Sequence, residues 1–281
     1  MINSLYVVTT PIGNLEDITF RAIRILKDVS LIAAEDTRVT RKLLTKYSIN
    51  TKLISFNEHN KHIRIPKLLK EIKLGDIAIV SDAGTPGIND PAAELVMEFR
   101  KSGIGVFTIP GPSAVTAALS ISGIVADAFI HLGFLPRKKS VRQKVLKEFS
   151  HSKYPVVIFE SPHRILGLLE DINVILGDRK IIICRELTKK FEETLFLNAG
   201  EALSLITKPK GEYTLVVDAS KDENKGLENN TSQNLEQVFN QLNEYADKGA
   251  KIKDFVNEIA ETTGVSKNQI YSLWLEVLKS R

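Results

Sequence analysis

The sequence predicts two α/β domains, one on a mostly parallel sheet and one on a mixed sheet, followed by a small helical unit. Three observations carry this expectation. Over residues 1–122 short β-branched runs alternate with amphipathic helical patterns, as in a parallel sheet covered by helices on both faces. Over residues 123–220 strand-like runs outnumber clear helices, so some neighbours must be joined as hairpins. A polar, Gly/Asn-rich linker at 221–234 then leads to residues 235–281, whose apolar stripes have helical spacing. The length of 281 residues is enough for two cores.

In order, the first domain reads as strand Leu5–Thr9, helix Ile18–Leu26, strand Ser30–Ala34, helix Arg41–Tyr47 and strand Lys52–Ser55. Helix Ile65–Ile72, strand Ile77–Val80, helix Ala92–Arg100 and strand Gly105–Ile109 follow. The run before Ser81 is apolar throughout, as a strand buried on both faces requires. After it, Leu95, Val96 and Phe99 recur at helical spacing, with Pro91 suited to a first turn. Between them VSDAGTPGINDP, Val80–Pro91, crowds two glycines, two prolines and two aspartates into one connection. That connection lies at the carboxyl end of a strand, where open α/β sheets bind ligands. IPGPSAVTAALSISG then gives a Pro-Gly-Pro turn and a helix of small residues that permits close approach.

In the second domain the strands are Phe129–Leu135, Val156–Glu160, Lys180–Leu187, Thr194–Asn198 and Tyr213–Asp218. The helices are Val141–Ser150, Arg164–Leu176 and a short one at Ala202–Ile206. KIIICREL and ETLFLNA, split by a short turn, read as an antiparallel hairpin. In the last unit Ile252, Phe255, Val256, Ile259 and Ala260 form one stripe, and Ile270, Leu273, Trp274, Val277 and Leu278 another. Gly264 is a helix stop and Ser266 with Gln269 a capping box, which gives a helix-turn-helix outline.

Hydrophobic content of 43% and charged content of 26% suit a soluble globular chain, and no apolar run approaches membrane-spanning length, so a cytoplasmic protein is expected. The one cysteine, Cys184, lies in an apolar run and excludes an internal disulfide or a thiolate metal site. The net charge of +4 is unevenly spread: residues 221–281 hold eight Lys/Arg against ten Asp/Glu, leaving +6 in residues 1–220. FLPRKKSVRQKVLKEF carries six cations, Arg137, Lys138, Lys139, Arg142, Lys144 and Lys147, against Glu148. Such a cluster is a solvated face or the footprint of a phosphate-binding surface.

There is no Walker loop, G-x-G-x-x-G, His-Glu-x-x-His or G-x-S-x-G, and the five histidines lack zinc-like spacing apart from the weak His59/His62 pair, so no metal site is expected. What remains are strand-end loops rich in small residues, carboxylates and arginines: TTPIGNLED, AAEDTR, SFNEHN, SDAGTPGINDP, IPGPSA, FLPR, FESPHR and CRELTKKFEE. They describe a cleft for an extended small molecule and an anionic partner.

VVTTPIGNLEDITFRAIRILKDVSLIAAEDTR, SDAGTPGINDPA, IPGPSAVTAAL, FESPHRI, CRELTKKFEE and GEYTLVV stand in this order over residues 5–218. This arrangement resembles the bacterial 16S ribosomal RNA (cytidine-2'-O)-methyltransferase family, the RNA-acting branch of the tetrapyrrole methylase superfamily. The resemblance implies the two-domain fold of that superfamily, S-adenosylmethionine (SAM) in its cleft, a homodimer, and 16S rRNA or the small ribosomal subunit as partner. It implies cofactor contacts from Pro11 and Gly13 in the first loop, and from Asp82, Ala83, Gly84 and Thr85 in the fourth. Ser113, Ala114, Ala117, Leu135, Gly211, Tyr213 and Thr214 complete the implied cofactor set. SDAGTP stands where the tetrapyrrole-acting branch has a Gly-Asp-Pro core, a departure that suits a different acceptor. The helical tail resembles the small extension of the RNA-acting enzymes.

A ribose hydroxyl is a poor nucleophile and gains from a general base. Loop candidates are Glu35, Asp36, Glu58, His59, Glu160, His163, Glu186 and Lys189, of which Glu35, Asp36, Glu186 and Lys189 are favoured as an unranked catalytic group. Arg38, Arg137, Lys138, Lys139, Arg142, Arg164 and Arg185 are the expected RNA contacts, forked guanidinium groups being suited to phosphate. Two other readings stay open: a methyltransferase acting on an acidic tetrapyrrole, and a DNA-binding regulator using residues 251–281. Against the regulator, Lys267 and Glu276 are the only charges from Lys267 to Leu278.

Overall fold

The structure, a computed structural model, describes residues 3–88, 90–220, 238–243, 245–246, 252–263 and 267–279. The expected linker at 221–234, and the Gly264 stop and Ser266 cap, lie outside the described residues.

Short β-branched runs build a first sheet from β1 (Ser4–Val8), β2 (Leu31–Ala34), β3 (Lys52–Ser55), β4 (Ile77–Val80) and β5 (Gly105–Ile109). All pairings are parallel, in the order β3-β2-β4-β1-β5. Strand alternation decides which helices cover which face. Ile32 and Ala34 point to the face holding α1 (Phe20–Asp28) and α2 (Thr37–Lys46), where they meet Ala22, Ile25, Leu26, Leu43 and Leu44. Leu31 and Ala33 point to the opposite face, with α3 (Lys61–Glu71) and α4 (Ala92–Lys101), against Leu68, Leu95 and Phe99.

The second sheet comprises β6 (Ile130–Phe134), β7 (Val156–Glu160), β8 (Lys180–Arg185), β9 (Glu193–Asn198) and β10 (Tyr213–Val217), in the order β6-β7-β10-β8-β9. Only β6 and β7 run parallel; the β8–β9 hairpin and both pairings of β10 are antiparallel. The small-residue helix α5 (Ala114–Ser122) lies on one face, with Val115 and Ala118 against Val157, Ile182, Cys184 and Val216. Helices α6 (Lys139–Glu148), α7 (Ile165–Leu176) and α8 (Ala199–Leu205) cover the other.

Two helices begin earlier than the apolar pattern suggests because polar caps, not core residues, start them. Asp36 accepts from the Arg38 amide and opens α2 at Thr37, four residues before Arg41. Asn198 and Glu201 form a reciprocal capping box that opens α8 at Ala199.

Both sheets belong to one compact unit, residues 1–150 and 154–219, and a second unit comprises residues 151–153 and 220–281. In the second unit helices Ile252–Thr263 and Lys267–Lys279 join helical residues 238–243 around their own core of Val238, Leu242, Phe255, Val256, Ile259, Ile270, Trp274 and Val277. Tyr245 stacks on Phe255 with ring centroids 4.2 Å apart.

Candidate active site

A cleft of about 530 Å³ opens within the first unit, among the loops at the carboxyl ends of β2, β4 and β7 and the start of α5. Its floor is the loop after β4. Thr10 and Gly84 exchange two backbone hydrogen bonds, of 2.9 and 3.1 Å, which tie this loop to the end of β1. Gly84 (φ +75°) and Gly87 (φ +92°) are left-handed, a conformation that side chains resist, so the glycines of SDAGTPG are demanded by the path of the chain. The carboxylate of Asp90 accepts from the amides of Gly87 and Ala92, closing the loop and capping α4.

Of the five carboxylates that line this cleft, Glu160 pairs with Arg164 and Glu212 with Lys189, which leaves three, Glu35, Asp82 and Asp90, without a salt bridge among the described residues. The Asp82 amide donates to Glu35 Oε2 (3.3 Å), and Asp82 Oδ1 accepts from the Asp36 amide (2.9 Å), lacing the β2 and β4 loops together. Burial pushes the pKa of all three above the ordinary carboxylate range. Glu35 is raised further by the charges of Asp82, Asp90 and Asp36, against the opposing pull of the Asp82 amide. The walls are apolar: Ile12, Val115, Phe134 and Phe159, the last two with ring centroids 5.7 Å apart.

Of the residues expected at the cofactor, Asp82, Ala83, Gly84, Thr85, Ser113, Ala114, Tyr213 and Thr214 line the cleft. Pro11, Gly13, Ala117, Leu135 and Gly211 do not. Leu135 is 3% exposed in the second-sheet core, Ala117 packs on the α5 side of that sheet, and Pro11 is buried. Gly13 and Gly211 are there for close approach: a Cβ on Gly13 would stand 2.5 Å from Lys189 Cγ, and one on Gly211 2.5 Å from Glu186 Cγ.

The four favoured catalytic residues separate. Glu35 lines the cleft. Asp36 is held by Arg38, whose guanidinium and amide bonds bring its pKa down to about 2. Glu186 and Lys189 occupy the turn after β8, where the Lys189 ammonium is 2.8 Å from Glu186 Oε1 and 2.8 Å from Glu212 Oε2. That ammonium holds Glu186 below its ordinary pKa. Burial pulls Lys189 down, but its two carboxylate bonds outweigh this and leave it raised. Glu186 (φ 53°) and Thr188 (φ 64°) are left-handed there.

The expected RNA contacts also divide. Arg137, Lys138 and Lys139 are exposed at the entry to α6, just past cleft-lining Phe134. Arg142 is 7% exposed and is corrected to a core residue: it pairs with Asp171 at 2.6 Å and donates to the Gly167 carbonyl. Its position on the inner side of α6 turns it toward α7, away from solvent. Arg164 clamps Glu160 and the Leu135 carbonyl, and Arg185 pairs with Glu193. Arg38 is exposed but already engaged by Asp36.

Phe134, Phe159, Ser161, Pro162 and Glu212 line the cleft without having been singled out as site residues. Glu160, named among the bases, is a buried wall residue that accepts from the Ser161 amide and pairs with Arg164. Asp90 was legible in principle, as the second carboxylate of the quoted loop. The two phenylalanines were not, because strand alternation does not say which face borders a cleft.

The sequence profile of the Tetrapyrrole (Corrin/Porphyrin) Methylases matches residues 4–203, from β1 through most of α8. This chain belongs to that family. Among curated relatives it is 43% identical, over 96% of its own length and 94% of the other, to a protein of Halalkalibacterium halodurans named Ribosomal RNA small subunit methyltransferase I. A protein of the same name from Bacillus subtilis is 41% identical over 96% of this chain and 93% of that one. The Thermotoga maritima protein of that name is 49% identical, over 76% of this chain but 97% of its own. Among solved structures, uroporphyrin-III-C-methyltransferase from Thermus thermophilus superposes with a TM-score of 0.54 at 17% identity, covering 77% of this chain and 94% of that one. Diphthine synthase does so with a TM-score of 0.59 at 13% identity, covering 76% and 89%. These two likenesses show the tetrapyrrole-methylase fold. Among the described residues no helix is long and apolar enough to cross a membrane.

Proposed function

We propose that this methylase transfers the methyl group of SAM to the ribose 2'-hydroxyl of a cytidine in small-subunit ribosomal RNA, acting as a homodimer. The observation that carries the reading is the near-full-length identity to proteins named ribosomal RNA small subunit methyltransferase I.

The cleft fits the cofactor chemically. SAM carries a sulfonium and an ammonium, and three carboxylates short of compensating cations are what a cation relieves. Ile12, Phe134 and Phe159 suit an adenine, and the close backbone path at Gly84 suits the methionine end. When bound, SAM supplies an activated methyl group. The protein's part is to align the hydroxyl and take up its proton. Alignment is worth about 7–11 kcal/mol in well-oriented systems, and a general base typically about 10²–10⁴-fold.

Within the favoured group Glu35 is the best base. Its raised pKa moves it toward neutrality, whereas Asp36 is held at about 2 by Arg38. Lys189 keeps its proton and is an anchor for Glu186 and Glu212. Arg137, Lys138 and Lys139 face the solvent where an RNA backbone approaches the Phe134 side of the cleft.

The test is to map ribose methylation in small-subunit rRNA from cells with and without the gene, together with SAM titration of the purified protein. One cytidine 2'-O-methyl group disappears on deletion. Identical methylation maps, or no SAM binding, overturn the reading.

A further inference from the structure

The solvent face of α2 is a second basic surface, separate from the α6 window. The helix buries Thr40, Leu43 and Leu44 and turns Arg38, Arg41, Lys42 and Lys46 outward. From Thr37 through Lys52 the sequence contains no carboxylate. Arg38 is held by Asp36, but Arg41, Lys42 and Lys46 have no ion-pair partner among the described residues. Three uncompensated cations on one short helix face repel one another, which an anionic partner relieves.

The placement of this face gives it a direction. Its helix starts directly after Glu35 and Asp36, at the mouth of the cleft, and ends about 15 Å away. There Lys46 lines an open groove of about 660 Å³ with residues 13–16 of the first loop and Thr188, Lys189 and Lys190. Glu16 is the one carboxylate in that lining. Groove and cleft share a wall, since Lys189 borders the groove and bonds Glu212, which borders the cleft. Beside Lys190, Phe191 is 67% exposed, with the Lys190 ammonium 5.7 Å from its ring centroid. Cations along a groove, with an exposed aromatic next in the chain to one of its lining lysines, match the pattern of single-stranded nucleic acid binding: charges follow phosphates and a ring stacks on a base.

We propose that α2 and the turn at residues 188–191 form a track for single-stranded RNA leading to the cleft, with Arg41, Lys42, Lys46 and Lys190 on phosphates and Phe191 stacked on a base. This rests on the RNA reading above and adds a surface to it. An acidic protein partner fits the cations but gives no role to Phe191.

The test uses the full chain and a small-subunit rRNA fragment, with binding measured at several salt concentrations. The variants are the triple Arg41→Ala/Lys42→Ala/Lys46→Ala, its charge-keeping counterpart Arg41→Lys/Lys42→Arg/Lys46→Arg, and Phe191→Ala. The alanine triple should flatten the slope of log K against log salt by about 0.7 per lost phosphate contact, about 2 in all. The charge-keeping triple should retain the slope, and Phe191→Ala should weaken binding about tenfold at unchanged slope. SAM affinity should be unchanged in every variant. Wild-type RNA binding with unchanged slope and affinity in both the alanine triple and Phe191→Ala overturns the track alone. An alanine triple that loses binding to polyglutamate but not to RNA overturns it in favour of a protein partner. Absence of RNA binding by the wild-type protein overturns the functional reading itself.

Discussion

Replacing Arg142 with alanine should unfold the protein more readily and leave RNA affinity untouched. The Asp171 carboxylate beneath it is 1% exposed and accepts from Arg142 Nε at 2.7 Å and from Gln143 at 2.7 Å, with the Arg142 terminal nitrogen at 2.6 Å. Lys139 stands 3.9 Å away on the solvent side. Removing the guanidinium leaves the buried carboxylate with one neutral hydrogen-bond donor and only the Lys139 ammonium, 3.9 Å away, as a cation, and it frees the Gly167 carbonyl of a 3.2 Å bond. Breaking a buried pair in this one-sided way costs about 3–5 kcal/mol. Lys144, exposed on the same helix, should change stability by no more than about 0.5 kcal/mol when replaced by alanine. Urea unfolding followed by circular dichroism measures both. Removing both charges, as Arg142→Met/Asp171→Leu, should recover most of the loss, because an apolar pair of similar volume replaces the ion pair without stranding a charge. A loss under about 1 kcal/mol in Arg142→Ala, or a fall in RNA affinity at unchanged stability, refutes the assignment of Arg142 to the core.

The raised pKa of Glu35 means that the folded state favours its protonated form. Its contribution to stability is therefore full below the unfolded carboxylate pKa and is lost as pH rises through the folded one. Glu35→Gln should accordingly be at least as stable as wild type at pH 7 in thermal melts, with the advantage vanishing near pH 4, while methyl transfer falls about 10²-fold or more. A variant that melts lower at pH 7 contradicts the electrostatic account. Gly211→Ala should destabilise by at least about 1–2 kcal/mol, from φ +79° and a Cβ 2.5 Å from Glu186 Cγ, and should displace Glu186 from Lys189. Denaturant unfolding at wild-type stability argues against that close approach. Cys184, 0% exposed and with its thiol pushed up to about 11 mainly by burial, should resist a thiol reagent in the native protein and react at once in denaturant. Rapid native labelling places the thiol outside the core.

The sequence alone determined the order of strands and helices, because burial on one or both faces writes itself into residue period. Strands β3, β4 and β5 begin and end where the apolar runs do, and the hairpin Lys180–Asn198 is visible as two runs with a short turn. The loop Val80–Pro91 was legible as special because left-handed backbone at Gly84 and Gly87 demands glycine, and that demand is local. Family membership was legible for a similar reason: the motifs are contiguous stretches, each read without knowing its neighbours in space. What a side chain does once its loop is placed was decided only by tertiary structure. Arg142 and Lys144 look alike in a basic run, yet helix phase and the presence of Asp171 on α7 put one in the core and the other in water. Asp36 and Glu35 are adjacent, yet Arg38 binds the first and burial raises the second. Gly13 and Gly211 approach Lys189 and Glu186, and Gly13 and Lys189 are 176 residues apart, a closeness that no local pattern records. Charge, exposure and proximity depend on neighbours brought in by other segments, and a one-dimensional pattern holds no record of them.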